Sequence, residues 1–66
     1  MQVRFQGRDH DVAVECAENT TVRAALAQAG ILASTVIVSF EGVVLPHATT
    51  LNAETTLLVT TVSSGG

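Results

Sequence analysis

Thr21-Val22-Arg23-Ala24-Ala25-Leu26-Ala27-Gln28-Ala29-Gly30-Ile31 decides the fold class, because it is the one helical stretch in a chain otherwise patterned for strands. Val22, Ala25, Leu26 and Ala29 fall at i, i+3, i+4 and i+7 and so share one helix face. The alanines between them carry high helix propensity. Thr20 or Thr21 can cap the start by accepting a hydrogen bond from a free N–H of the first turn. Gly30 supplies a left-handed stop, after which Ile31 can fold back on the last turn. One short helix lying on a sheet is the expectation.

Upstream, Met1, Val3 and Phe5 alternate with Gln2, Arg4 and Gln6, and Val12, Val14 and Cys16 alternate with Asp11, Ala13 and Glu15. Period-2 alternation predicts two strands with one buried face each. Gly7-Arg8-Asp9-His10 between them is a turn composition, so the pair reads as a hairpin. Downstream, Val36-Ile37-Val38-Ser39-Phe40 is a β-branched run, Glu41-Gly42 a turn, and Val43-Val44-Leu45 a short strand ended by Pro46. His47 to Thr50 is polar and irregular, with Leu51 as a buried anchor. Glu54-Thr55 leads into a last strand, roughly Thr56 to Val62, with Leu57, Val59 and Thr61 on one face and Leu58, Thr60 and Val62 on the other. The predicted class is therefore α+β, with a mixed sheet of four to five strands packed on one helix. Residues 1–62 make one domain and residues 63–66 a terminal tail.

At 66 residues the chain suffices for one domain with a thin core, since a chain this short buries only about 60% of its unfolded surface. Only Phe5 and Phe40 are aromatic, so the core falls to Val, Leu, Ile and Ala. A net charge of −3 with three scattered cations, Arg4, Arg8 and Arg23, argues against direct nucleic-acid binding. The chain has no lysine, either from an Arg-biased composition or because a chain without ε-amines escapes modification on its own side chains. Neither a leader pattern nor a membrane-length apolar run is visible, and the one cysteine, Cys16, cannot form an internal disulfide. A cytoplasmic monomer is expected.

The chain offers no internal catalyst. His10 and His47 sit in loops without a second ligand at metal spacing, so no metal site is expected. Cys16 has no cationic setting and reads as an inert buried thiol. The carboxylates Asp9, Asp11, Glu15, Glu18, Glu41 and Glu54 are scattered among turns and outward strand positions, where they serve solubility.

Attention therefore falls on Val62-Ser63-Ser64-Gly65-Gly66. Glycine loses more backbone freedom on ordering than any other residue, so a terminal pair adds nothing to stability. Without Cβ atoms it can thread a narrow channel and present an unhindered carboxylate. The alternative is a flexible linker or fusion scar, since Gly/Ser composition is that of linkers. Leu58 and Val62, outward beside the tail, are the expected contacts for a partner, together with Ser64.

Hairpin, helix, returning strands and Gly-Gly together resemble the ubiquitin-like β-grasp fold. Within it the chain is similar to the small sulfur carriers of the ThiS, MoaD and TtuB types and to the small archaeal modifiers. Three features carry the resemblance over the whole chain. Thr21-Val22 opens the helix, Leu26 lies inside it and Gly30-Ile31 closes it. Val36 to Pro46 matches the family's strand, Gly turn, strand and proline. Thr56-Leu57-Leu58-Val59 leads to Ser64-Gly65-Gly66. The Ser-Gly-Gly ending and spacing look closest to the TtuB type, the carrier for tRNA thiolation. Glu41-Gly42 and Glu54-Thr55 depart from the ThiS pattern, and the MoaD type is longer and more aromatic here.

The resemblance implies a carrier or protein modifier, not an enzyme. An activating enzyme of the ThiF/MoeB type would adenylate the Gly66 carboxylate, with Gly65 beside it. That enzyme would use its own ATP and magnesium, and the carrier itself would bind no cofactor. A sulfurtransferase or cysteine desulfurase would then supply sulfur to give a thiocarboxylate, or a target-protein lysine would take the acyl group as an isopeptide. The alternatives are a ThiS-type carrier for thiazole synthesis and a β-grasp domain that only binds partners.

Overall fold

The computed structural model describes residues 1–62. It is a small α+β structure with a mixed five-stranded sheet and one α-helix. The strands are β1 (Gln2–Gln6), β2 (Asp11–Glu15), β3 (Thr20–Thr21), β4 (Val36–Phe40), β5 (Val43–Leu45), β6 (Thr50–Leu51) and β7 (Thr55–Thr61), and the helix α1 spans Val22–Gln28. The main sheet has the order β2-β1-β7-β4-β5. β7 lies at its centre, parallel to β1 (Phe5 opposite Leu57) and antiparallel to β4 (Val38 opposite Val59).

Alternation decides what each strand buries. Val3 and Phe5 of β1, Val36 and Val38 of β4, and Leu57 and Val59 of β7 all face inward and are buried. Val22, Ala25 and Leu26 of α1 meet them from the other side, with Cys16, Ile31 and Leu51 closing the margins. Among the described residues no polar or charged residue is buried, so burial of apolar surface, that of Phe5 included, accounts for cohesion.

The ends of α1 follow the sequence closely. The hydroxyl of Thr21 accepts from the N–H of Ala24 at 3.1 Å. The next free N–H groups, of Val22 and Arg23, donate to the carbonyls of Thr49 and His47, each at 2.9 Å. The polar segment after Pro46 is thus the cap of a helix that is distant in sequence. At the other end Gly30 has φ 78°, its N–H donates to Ala27 and that of Ile31 to Leu26. This pair of bonds is the Schellman arrangement, with buried Ile31 packed back toward Leu26.

Three elements lie beyond the expectations from sequence. Thr20–Thr21 and Thr50–Leu51 form a second, two-stranded sheet, β3 with β6, and Ala33–Thr35 makes a turn of 3₁₀-helix. Each is too short for a period to register. The last strand begins and ends one residue earlier than expected, at Thr55 and Thr61.

Two turns are constrained by backbone geometry. Gly7 follows β1 so closely along β7 that a Cβ there would lie 2.1 Å from the carbonyl oxygen of Val59. Gly7→Ala should therefore cost about 2 kcal/mol or more by forcing the hairpin off β7, measurable by urea unfolding. In the β4–β5 turn Glu41 has φ 49° and Gly42 φ 82°, the type I′ pairing for which Asn-Gly is preferred. Glu41→Asn should stabilise the protein by roughly 0.5–1 kcal/mol, because Asn tolerates the left-handed region that a longer side chain resists.

Candidate functional site

The central position of β7 makes it the rigid base of everything that follows Thr61. Leu57 and Val59 anchor it in the core, which turns Leu58 and Thr60 to the face away from α1. Leu58 is 53% exposed and Val62, continuing the same alternation, 45%. Both of these sequence-expected contact residues therefore stand at the surface on the same run of chain. The N–H of Val62 donates to the carbonyl of Thr35 at 2.8 Å, so the chain is held against the 3₁₀ turn to the last described residue. Ser64, Gly65 and Gly66, the other expected site residues, lie outside the described residues.

The outer face carries more apolar surface than Leu58 alone. Ile37 of β4 and Val44 of β5 project on the same side, since Leu58 pairs with Ser39 and Ser39 with Val44. Sequence reasoning missed these two. β4 was legible as a strand from its β-branched run, but the side on which its neighbours lay was not, because strand order is a tertiary fact. Beside them the hydroxyls of Ser39, Thr56 and Thr60 and the amide of Gln6 make the rest of this surface polar. On the β1 side Arg4 pairs with Asp11 at 2.9 Å, which leaves no free cation in that row.

The β1–β2 turn stands at the point where β7 leaves the sheet. Arg8 and Asp9 share a shallow groove with Leu58, Thr60 and Thr61, and His10 Nε2 lies 3.5 Å from Thr61 Oγ1. His10 and His47 are well apart in function: the second serves the helix start through its backbone carbonyl. Among the described residues no three of His, Cys, Asp and Glu gather as a metal site. No helix of the described residues is long and apolar enough to cross a membrane.

Cys16 follows β2 directly and is buried. Its thiol donates to Gln28 Oε1 at 3.2 Å, while Gln28 Nε2 donates to the carbonyl of Glu15 at 3.2 Å. Burial pushes the thiol pKa up, with the nearby terminal ammonium opposing and the Glu15 carboxylate adding to the shift. The thiolate is thus disfavoured, and this cysteine braces strand to helix end. Labelling with a thiol reagent at pH 8 should be ~100-fold slower in the folded protein than in denaturant. Equal rates in both would place the thiol at the surface.

Among the described residues the site is therefore a one-sided surface: an apolar and hydroxyl-bearing sheet face on the central strand β7. Compared with models of known protein families and with curated protein sequences, the chain matches none.

Proposed function

We propose that this protein is a ubiquitin-like β-grasp sulfur carrier and protein modifier whose reacting group is the Gly66 carboxylate. The observation that carries the reading is the placement of β7. The strand is clamped between β1 and β4, its outward residues Leu58 and Val62 are exposed, and the residues that follow it end in Gly65-Gly66. A rigid strand followed by small residues suits a carboxylate that must enter another protein's catalytic centre. The sheet face beside it suits the docking that aims it there.

In this reading a separate activating enzyme docks on Leu58 and Val62, with Ser64 as a further contact. It transfers AMP from ATP, with its own magnesium, onto the Gly66 carboxylate, and pyrophosphate leaves. The acyl-adenylate is then open to attack at its carbonyl carbon. The persulfide of a sulfurtransferase or cysteine desulfurase displaces AMP to give an acyl disulfide. A second thiol then cleaves its S–S bond, forming a disulfide with the donor cysteine and releasing the thiocarboxylate for transfer, with tRNA thiolation of the TtuB type as the proposed use. A target-protein lysine displaces AMP instead when an isopeptide forms. The chain has no lysine of its own, so it does not build polymers through its side chains. The exposed row of Ile37, Val44 and Leu58 also supports a second reading, a domain that only binds partners.

The test begins with the intact mass of the protein isolated from its own cells, which establishes the terminal residue. The purified protein is then incubated with ATP, magnesium, a sulfur donor and the host's activating enzyme. The expected product carries one carboxylate oxygen replaced by sulfur at Gly66. A protein lacking Gly65 and Gly66 should stay folded and remain unmodified. An unchanged mass for the full protein, with the enzyme active on another carrier, would favour the binding domain. Thiolated nucleosides in tRNA from a deletion strain, set against its thiamin requirement, separate the TtuB and ThiS routes.

A further inference from the structure

The β4–β5 turn places a glutamate in a backbone conformation that glutamate disfavours. Glu41 takes φ 49° beside Gly42 at 82°, where Asn or Gly would be at ease. No ion pair or side-chain hydrogen bond among the described residues engages its carboxylate. Glu41 rims a groove lined also by Gln6, Ser39, Thr56 and Leu58, and it is the one charged residue of that groove. Ser39, Leu58 and Gln6 stand in a single row across β4, β7 and β1. The groove thus joins an apolar wall to a carboxylate and several hydrogen-bond acceptors, with no cation of its own.

We infer that this groove receives a basic side chain, an arginine, projected by the activating enzyme; the inference rests on the carrier reading above. The stem lies along Leu58, and the guanidinium meets Glu41. Ser39, Thr56 and Gln6 supply acceptors for its remaining donors, a set that the planar five-donor group fits better than a lysine ammonium. Leu58 and Val62 are four residues apart, roughly 13 Å along the strand, so this contact is remote from the reacting carboxylate. Its work is to fix the orientation of the sheet on the enzyme while the tail threads the channel.

The experiment is ATP–pyrophosphate exchange by the host's activating enzyme at varied carrier and salt concentrations. The carriers compared are the wild type, Glu41→Gln, Glu41→Asn and Glu41→Arg. The Gln and Asn variants should raise KM for the carrier about tenfold and leave kcat at saturation unchanged, with a larger loss for Arg. The wild-type KM should also rise more steeply with salt than that of Glu41→Gln. Because Glu41→Asn relieves the turn, its weaker docking cannot arise from unfolding, and its thermal midpoint recorded alongside should not fall. An unchanged KM and salt slope for Gln and Asn, with the wild type adenylated normally, would overturn this inference and leave the carrier reading standing. A fall in kcat at unchanged KM would overturn it equally. Failure of the wild type to be adenylated would remove the carrier reading, and this one with it.

Discussion

The parallel ladder between β1 and β7 is the constraint on which the rest depends. It pairs Val3 with Thr55 and Phe5 with Leu57, joining the two ends of the described chain. Parallel strands cannot be linked by a tight turn, so everything between them must form the crossover. That crossover includes α1, which lies across the face where Phe5, Val38, Leu57 and Val59 converge. Closing so long a loop is entropically costly and is offset only when the helix covers this aliphatic surface. The ladder also brings the backbone of Gly7 against Val59, a spacing that excludes any side chain.

With β7 in the middle, its two faces acquire different roles. The inward residues are surrounded by core on three sides and hold the strand still. Among the described residues no layer lies above the outward ones, so Leu58 shares the open face with Ile37 and Val44. A strand fixed by its neighbours on both edges is a firm mount for whatever follows Thr61. The bond from Val62 to the carbonyl of Thr35 carries that firmness one residue further. The one thiol is buried and bonded to Gln28.

Much of the local structure was legible. The helix, a threonine cap (Thr20 or Thr21 from the sequence, Thr21 in the structure) and the Gly30 stop depend on contacts within a few residues, and the sequence pattern reports such contacts directly. The two hairpins were equally plain, because a glycine-bearing turn is flanked by alternating residues in the first and by a β-branched run and a short apolar strand in the second. The β3–β6 pair and the 3₁₀ turn were not, since two or three residues show no period. Their reason for existing lies elsewhere in the chain. Thr49 and His47 present their carbonyls to the first N–H groups of α1, and the β3–β6 bonds hold that segment in place. Of the candidate site, Leu58 and Val62 were readable from alternation in a single strand. Ile37 and Val44 became partners of Leu58 only through strand order.

The sequence by itself determined the α+β class, the longer strands and the helix, and the apolar faces of the helix and of β1, β2 and β7, because each is written in nearest-neighbour chemistry and periodicity. The tertiary structure alone decided that β7 is central, that β1 runs parallel to it, and that Glu41 rims a groove with Gln6, Ser39 and Leu58. Those relations join residues remote in the chain, and pairing between strands depends on which complete set of faces can be buried at once, a quantity no single segment contains.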